Sequence, residues 1–348
     1  MKTQYANAVT QYENGTSLGG RIIKEGGLVV FPTETVYGLG ANGLNSEAVL
    51  KIFAAKGRPA DNPLILHIAK KSELKPLWSH VPDNARILAD TFWPGPLTMI
   101  FNRSSIVPDE VTAGLDTVAV RMPLNKTARA LINAAGVPIA APSANLSGKP
   151  SPTTAEHVRQ DMDGRVDLII DGGPCKYGLE STVVSLIGRP TILRPGAVTK
   201  EMLEAVIGPV DVAHAVLSPL REGETAASPG MKYRHYAPSA PMTVVVGPVD
   251  KVTEKLQALY DQAKGEGKTV GFLVSEEVGA SFPHKDMYIW GRHGDKEALA
   301  NQLYTGLLSF DSDVVDIILA EGIDDEGLGL AIMNRMKKAA GGHVVIVG

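Results

Sequence analysis

The chain has 348 residues, of which 44% are hydrophobic and 21% charged, a length that suggests about two domains rather than one core. Its formal net charge of −4 gives no overall attraction to nucleic acid or to an anionic membrane, so an anion-binding site has to be local. The single cysteine, Cys175, excludes an internal disulfide and a cysteine-based zinc site, and without an apolar leader or an apolar run of membrane-spanning length we expect a cytoplasmic protein with no membrane partner.

Short apolar runs alternate with amphipathic patterns through residues 1–208. The runs predict strands at 28–31, 64–68, 97–101, 118–122, 138–141, 168–170, 181–186 and 191–193. The amphipathic patterns predict helices at 46–55, 83–92, 126–135, 154–162 and 200–207, the first with Ser46 as N-cap and Gly57 as C-cap. Because strands and helices do not alternate one for one, we expect an α/β domain in which helices flank a twisted mixed sheet.

The composition changes after residue 208, which predicts a linker over 209–238 and a second domain over 239–348. Strands at 242–246, 270–274 and 314–319 alternate with helices at 252–264, 297–310 and 328–339, an order that predicts a smaller, Rossmann-like parallel sheet. The linker segment 228–238, SPGMKYRHYAP, is too aromatic and cationic for a passive spacer. We expect it to act as a lid over a catalytic cavity, and the alternative is packing on its own domain.

Residues 38–43, GLGANG, match the dinucleotide-binding pattern G-x-G-x-x-G. In that fold the first glycine ends a strand and the third lies inside a helix. Here six residues, 32–37, separate the predicted strand from Gly38, and the helix begins only at Ser46. We therefore interpret the segment as a turn and not as a nicotinamide or flavin site.

Cationic and polar residues stand next to several apolar runs. Lys56 and Arg58 lie where a helix ends, where they can hold phosphate or only interact with the helix dipole. Ser143 and Asn145 follow an apolar strand, where they can face a ligand or form a local turn. Arg121 lies inside a strand, and burying it is costly unless it meets an anion. A substrate carboxylate and an internal salt bridge are the two alternatives for that anion.

Lys56-x-Arg58, Ser143-x-Asn145 and residues 32–39, PTETVYGL, together resemble the threonylcarbamoyl-adenylate synthase (YrdC-like) family. The resemblance covers about 19–207, and 228–238 with the tail resembles the long, two-domain form. It implies an enzyme that makes threonylcarbamoyl-AMP and pyrophosphate from L-threonine, ATP and bicarbonate or CO₂. The product would serve a separate transferase that modifies the adenosine beside the anticodon of certain tRNAs, so contact of this chain with tRNA would be weak or indirect.

The resemblance also implies site residues. The catalytic set is Lys56, Arg58, Ser143 and Asn145. The ATP-binding set is Arg58, Asn62, Thr117, Ser143, Ser151, Arg194 and Tyr236. The threonine-binding set is Thr35, His67, Arg121, Ala141 and Ser181, with Arg121 on the substrate carboxylate. Mg²⁺ would enter through the ATP phosphates without protein ligands, and Glu34 receives no role beyond a turn cap.

Two other functions compete with this one. An RNA-binding module would use the basic cavity of the first domain, although the net charge of −4 and the 5% aromatic content weaken that hypothesis. Carbamoyl transfer of the hydrogenase-maturation type uses a related domain. Those proteins carry acylphosphatase and zinc-finger modules, which a chain with one cysteine lacks.

Overall fold

A computed structural model describes residues 2–10, 12–218, 235–282, 286–310 and 315–348. These residues form two compact units. The first comprises the described residues of 1–147 and 151–232, and the second those of 148–150 and 233–348. No helix among the described residues is both long enough and apolar enough to cross a membrane.

The strands of the first unit form one large sheet. Those in the described residues are β1 (Gln4–Asn7), β2 (Val29–Phe31), β3 (Gly38–Asn42), β4 (Ile65–His67), β5 (Leu97–Asn102), β6 (Thr117–Arg121), β7 (Ile139–Ala140), β8 (Leu168–Asp171), β9 (Thr182–Ser185), β10 (Thr191–Arg194) and β11 (Asp211–Val212). They lie in the order β1-β8-β2-β3-β7-β4-β6-β5-β9-β10-β11. Parallel pairs, such as β4 with β6, and antiparallel pairs, such as β5 with β6, both occur. The predicted mixed sheet is confirmed.

Helices flank this sheet. They are α1 (Tyr12–Lys24), α2 (Ser46–Lys56), α3 (Asp83–Phe92), α4 (Asp109–Thr112), α5 (Lys126–Ala135), α6 (Ala155–Met162), α7 (Lys200–Ile207) and α8 (His214–Leu217), with a 3₁₀ turn at Lys71–Leu74. Gly57 ends α2 in the left-handed conformation, as predicted. The prediction of Ser46 as its N-cap is wrong. Asn45 is the cap, because its side chain accepts a hydrogen bond from the Ala48 amide.

The sequence prediction lacks several elements of the first unit, namely β1, β3, β11, α1, α4 and α8, and the reason is clear for α1 and β3. Helix α1 has glycines where a large apolar residue would be expected, because it packs closely on α5. A Cβ at Gly20 would lie 2.6 Å from the Ala134 Cβ. The turn interpretation of residues 38–43 is wrong, because Gly38–Asn42 is strand β3 and pairs with both β2 and β7. A Cβ at Gly40 would meet the Phe31 ring at 2.8 Å, so close packing explains its glycine.

The two faces of the central strands differ. In register, Leu66 of β4 pairs with Val120 of β6, Val120 with Met99 of β5, and Met99 with Val184 of β9. Residues paired in this way point to the same face of a sheet. All four belong to the largest apolar cluster, which also contains residues of α2, α3 and α7. The opposite face of the same strands carries a small apolar cluster of Ile65, Ile100, Ala119 and Val183.

The second unit is a parallel sheet with helices. Its described strands are β12 (Met242–Val246), β13 (Val270–Val274), β14 (Met287–Ile289), β15 (Ile317–Glu321) and β16 (Val344–Ile346), in the order β14-β13-β15-β12-β16. Its described helices are α9 (Val249–Gly265), α10 (Glu276–Gly279), α11 (Lys296–Ser309) and α12 (Leu328–Ala339). Every neighbouring pair of strands is parallel, which confirms the predicted Rossmann-like parallel sheet. The strands β14 and β16, of three residues each, were not predicted.

Candidate active site

A row of polar side chains crosses the less covered face of the first sheet. Register places His67 of β4 opposite Arg121 of β6, and Arg121 opposite Thr98 of β5. All three side chains are buried. A buried row of this kind costs free energy unless each polar group finds a partner.

Arg121 is held by two consecutive residues of the loop after β2. Its NH2 atom lies 2.6 Å from Glu34 Oε1, and its NH1 atom donates to Thr35 Oγ1 at 2.9 Å. Its Nε atom donates to the Gly95 carbonyl at 3.3 Å. Arg121 and Glu34 each have 4% of the side chain exposed. The sequence analysis offered an internal salt bridge as one alternative for Arg121, and that salt bridge is present. Its acidic partner is Glu34, which the sequence analysis assigned no role beyond that of a turn cap.

The loop that carries Glu34 and Thr35 is fixed by its own hydrogen bonds. Thr33 Oγ1 donates to the Val36 carbonyl at 2.6 Å and lies 2.8 Å from Thr35 Oγ1. The amide of Tyr177 donates to the Glu34 carbonyl at 2.8 Å. This local turn, built by a threonine hydroxyl, directs the next two side chains onto Arg121.

His67 contributes a neutral ring to the row. Burial, and then the positive charge of Arg121, lower its pKa to about 3. Its Nδ1 atom lies 3.2 Å from the Ile65 carbonyl, and its ring meets Phe31 edge-on with centroids 6.1 Å apart. A neutral imidazole can exchange hydrogen bonds with a hydroxyl without adding charge.

Ser181 joins the row from the segment before β9. Its Oγ lies 2.7 Å from Thr98 Oγ1 and accepts a hydrogen bond from Arg194 NH2 at 3.1 Å. Arg194 Nε also donates to the Ser181 carbonyl at 3.0 Å. The structure therefore places Arg194, expected at the nucleotide, directly beside Ser181 of the threonine set.

Lys56 organises the loop that carries Ser143 and Asn145. Its Nζ donates to the carbonyl oxygens of both residues, each at 2.5 Å. The amide of Ser147 donates to the Lys56 carbonyl, and the amide of Leu146 to Asp161 Oδ2, each at 3.0 Å. Burial, reinforced by the charge of Arg58, holds the pKa of Lys56 well below its ordinary value. Lys56 thus fixes the position of this loop through its backbone.

Two further contacts involve expected nucleotide residues. Arg58, half-buried beyond the end of α2, donates from NH2 to the Asn62 carbonyl at 3.0 Å, and Asn62 is fully buried. Ser151 Oγ donates to Glu180 Oε1 at 2.5 Å, and both residues are buried. Glu180, like Glu34 and Asp161, is a buried carboxylate of this region to which the sequence analysis gave no site role. Its position beside Ser181 was the only available signal.

Among the expected site residues, Arg121 of the threonine set and Thr117 of the nucleotide set lie at opposite ends of one strand, whereas Arg194 lies at the threonine end beside Ser181. Arg121 ends β6 and Thr117 begins it. Four residue-to-residue steps along the strand place their Cα atoms roughly 13 Å apart. The register pair Ile65 and Ala119 lies between them. The amide of Ala141 donates to the Ile65 carbonyl, and Ser143 follows Ala141 by two residues. Small and apolar side chains thus separate two polar zones.

Tyr236 belongs to the second unit. Its ring centroid lies 5.5 Å from that of Tyr304 and 5.7 Å from the Arg335 guanidinium carbon, and 5% of the residue is exposed. Residues 228–234 of the expected lid lie outside the described residues, so both the lid and nucleotide contact by Tyr236 stay predictions.

The donor set of the site suits anions. Within the described ranges, no group of three or more histidine, cysteine, aspartate or glutamate side chains could hold a metal ion. The groups around the two polar zones are mainly guanidinium, ammonium, hydroxyl and amide, which bind carboxylate and phosphate oxygens.

Two family models together match most of the chain. Residues 21–196 match the Sua5/YciO/YrdC family model, described as telomere recombination. Residues 198–341 match the model for the C-terminal domain of threonylcarbamoyl-AMP synthase.

Relatives match over nearly the full length. The chain is 51% identical over 326 residues to the threonylcarbamoyl-AMP synthase of Pyrococcus abyssi, covering 93% of this chain and 94% of the relative. It is 50% identical to that of Bacillus subtilis, covering 93% and 92%. A crystal structure of P. abyssi Sua5 complexed with L-threonine superposes with a TM-score of 0.93 at 47% identity, covering all of both chains.

Proposed function

Because the chain belongs to the Sua5/YrdC family of threonylcarbamoyl-AMP synthases, we propose that it converts L-threonine, ATP and bicarbonate or CO₂ to threonylcarbamoyl-AMP and pyrophosphate. The observation that carries this proposal is the buried row of His67, Arg121 and Thr98 on one sheet face. An arginine, a neutral imidazole and hydroxyls form a small polar site for an acid that also bears a hydroxyl.

In this proposal the threonine subsite is the end of the face around Arg121. The guanidinium binds the substrate carboxylate, because its planar N–H groups match carboxylate oxygens. The hydroxyls of Thr35 and Ser181 and the neutral ring of His67 exchange hydrogen bonds with the substrate hydroxyl. Ala141, small and buried, leaves room for the substrate methyl group.

The nucleotide subsite lies toward the other end of the face. We assign to it Lys56, Arg58, Asn62, Thr117, Ser143, Asn145 and Ser151. Arg194, which lies beside Ser181, would bind the phosphates from the threonine side, and nucleotide contact by Tyr236 remains an expectation from the family resemblance. Lys56 acts here through the Ser143–Asn145 backbone, which it fixes by two hydrogen bonds. Mg²⁺ enters with ATP as part of the substrate, since the donor set favours phosphate over a resident metal.

The reaction needs alignment and charge stabilisation. The threonine amine, once deprotonated, adds to CO₂ to give a carbamate. A carbamate oxygen then attacks the α-phosphorus of ATP, and the bond to pyrophosphate breaks. No protein nucleophile is required, so the residues hold two anionic reactants together and offset their repulsion. The enzyme is thus a nucleotidyltransferase.

The product is an activated mixed anhydride, which requires an acceptor. We propose that a separate transferase passes its threonylcarbamoyl group to the adenosine beside the anticodon of certain tRNAs. The net charge of −4 fits a protein that does not hold tRNA itself. We expect the reaction to occur in the cytoplasm, where ATP and tRNA are present.

Pyrophosphate release with different amino acids tests the reaction. We expect release to require L-threonine and bicarbonate and to fail with L-valine, which has the shape of threonine but no hydroxyl. Polar groups left unpaired by valine cost about 1–3 kcal/mol each. Mass spectrometry should find threonylcarbamoyl-AMP. Equal rates with valine, or release without bicarbonate, would contradict the proposal.

A further inference from the structure

Glu34 is a buried carboxylate without a part in the reaction described so far. Its Oε1 atom lies 2.6 Å from Arg121 NH2. Its Oε2 atom accepts a long hydrogen bond, 3.4 Å, from the Asn125 amide. Charge-assisted N–H···O bonds are normally about 2.7–2.9 Å long, so the contact with Asn125 is weak. The second oxygen can therefore accept a stronger donor.

The position of Glu34 matches the geometry of an α-amino acid. In such a molecule the carboxylate and the ammonium group sit on the same carbon, so a cation that binds one and an anion that binds the other must be neighbours. Arg121 and Glu34 are neighbours of this kind, and Arg121 is the middle member of the polar row. The loop supplies two consecutive contacts to the guanidinium, a carboxylate from Glu34 and a hydroxyl from Thr35.

The balance of charge in the row favours a substrate without net charge. Arg121 is already neutralised by Glu34, and His67 is neutral because burial lowers its pKa to about 3. Two further buried charged residues lie next to Ser181, Glu180 in the sequence and Arg194 through a hydrogen bond, and their charges are also opposite in sign. A lone carboxylate would add an uncompensated buried negative charge, which is costly. A zwitterion adds no net charge.

We propose that Glu34 binds the α-ammonium group of the amino-acid substrate and so selects α-amino acids over the corresponding deaminated acids. This inference rests on the proposed function, because it takes Arg121 as the site of the substrate carboxylate. Glu34 is then a specificity-determining residue that contacts the substrate nitrogen. It holds that nitrogen at a fixed place on the sheet face before the carbamate forms.

Calorimetric titration tests the proposal with two ligands. L-threonine carries the ammonium group, and (R)-3-hydroxybutyrate is the same molecule without it. In the wild-type protein we expect L-threonine to bind about 10- to 100-fold more tightly, the value of one hydrogen bond between charged groups. In Glu34→Gln the affinity for L-threonine should fall, and the affinity for (R)-3-hydroxybutyrate should stay the same or rise. The ratio of the affinity for L-threonine to that for (R)-3-hydroxybutyrate should therefore fall about 10-fold or more.

The ratio separates recognition of the ammonium from a merely structural role. If Glu34 only orients Arg121, both ligands lose affinity together, since both use the carboxylate, and the ratio stays at its wild-type value. That result overturns the proposal. Should Glu34→Gln fail to fold, equal affinity of the two ligands for wild-type protein overturns it as well. Glu321→Gln, a change at a buried carboxylate of the second unit, is the matched control and should leave the ratio unchanged.

The proposed function fails in a different way. Wild-type protein that neither binds L-threonine nor releases pyrophosphate with it contradicts the reaction itself. Wild-type protein that does both, with an unchanged ratio in Glu34→Gln, contradicts only the role of Glu34.

Discussion

Glu34 of the first unit and Glu321 of the second are both buried, and the two glutamates differ in what they contact. Glu321, at the end of β15, accepts a hydrogen bond from the Ser275 amide at 2.6 Å and lies 2.7 Å from His293 Nδ1. It therefore ties together the segments that follow β13 and β14. Glu34 instead pairs with Arg121, within a row of polar side chains on a sheet face. The contrast shows that burial of a charge does not by itself identify a site.

The difference lies in the surroundings of each carboxylate. Glu321 satisfies a backbone amide of its own sheet, so its energetic role is complete without a ligand. Around Glu34, several polar groups converge that no element of secondary structure requires. Convergence of polar groups on an otherwise apolar face is typical of a binding site. Four variants or conditions test this distinction.

Arg121→Ala should have the largest effect. We expect the kcat/KM for threonine to fall at least about 100-fold, because truncation removes the proposed contact with the substrate carboxylate and leaves Glu34 buried without its cationic partner. The KM for ATP should change far less. The unpaired carboxylate should also lower the free energy of unfolding by about 3–5 kcal/mol. Pyrophosphate release against each substrate, and urea unfolding, measure the two effects.

Arg103→Ala is the matched control for this change. Arg103 also pairs with a carboxylate, that of Asp109 at 2.6 Å, and donates to a carbonyl, that of Val107 at 2.9 Å. We expect the KM of the Arg103→Ala variant for threonine to equal the wild-type value. A collapse of ATP affinity in Arg121→Ala, with threonine affinity intact, would show that the two ends of the sheet face are assigned the wrong way round.

Lys56→Met should have the next largest effect. The variant keeps the apolar stem but removes the ammonium group that fixes the carbonyls of Ser143 and Asn145. Misplacement of such a loop by about 1 Å can cost about 100-fold in rate, so we expect turnover at saturating threonine to fall on that scale. Threonine affinity, measured by calorimetry, should change little.

The same helix provides the control for Lys56. Lys51 also donates to a backbone carbonyl, that of Gly26 at 2.7 Å, away from the polar row. Lys51→Met should keep wild-type turnover. Near-normal turnover in Lys56→Met would instead limit Lys56 to stabilising the end of its helix.

Local patterns in the sequence predicted much of the fold. Helices Asp83–Phe92, Lys126–Ala135 and Leu328–Ala339 have the predicted limits, because amphipathic spacing and capping residues act over a few positions. Helix α1 was not predicted, since Gly19 and Gly20 remove its apolar stripe. Those glycines are needed because α1 contacts α5 closely at these positions, and α5 is distant in the sequence.

The candidate site was predicted only in part for a similar reason. An arginine inside the apolar strand β6 indicated a buried anion, but not which one. The partner, Glu34, is 87 positions away, and its contact depends on strand order and on the turn built by Thr33. The sequence also does not disclose that Lys56 acts on the backbone of the Ser143–Asn145 loop. Both contacts depend on the register of long-range strand pairs, which no local pattern encodes.

The pH dependence of stability tests the neutral state of His67. Its pKa is about 3 in the folded protein and about 6.5 in an unfolded chain. Between these values the unfolded state binds the extra proton, so folding stability is full above about pH 6.5 and declines as the pH falls toward 3. Relative to His67→Gln, the wild-type protein should lose up to about 1.4 kcal/mol per pH unit in this range. Urea unfolding at several pH values measures the difference.

Threonine binding provides an independent check on His67. Because the ring stays neutral, its titration should contribute no step to threonine affinity between pH 6 and pH 8. A step that disappears in His67→Gln would show that the ring takes up a proton in the folded protein. A constant stability difference between pH 6.5 and pH 4 would show the same.

Glu321→Ala should have the smallest effect on the reaction and a clear effect on stability. Within the described residues Glu321 contacts groups of its own unit, and the buried Ser275 amide loses its acceptor when the carboxylate is removed. An unsatisfied buried amide costs about 1–3 kcal/mol. Fluorescence of Trp290, the buried tryptophan that follows β14, should report unfolding of this unit at lower urea. Pyrophosphate release at saturating substrates should equal that of the wild type. If it falls while the variant is still folded, Glu321 contributes to the reaction, and the distinction between a structural carboxylate and a substrate-binding one does not hold in this protein.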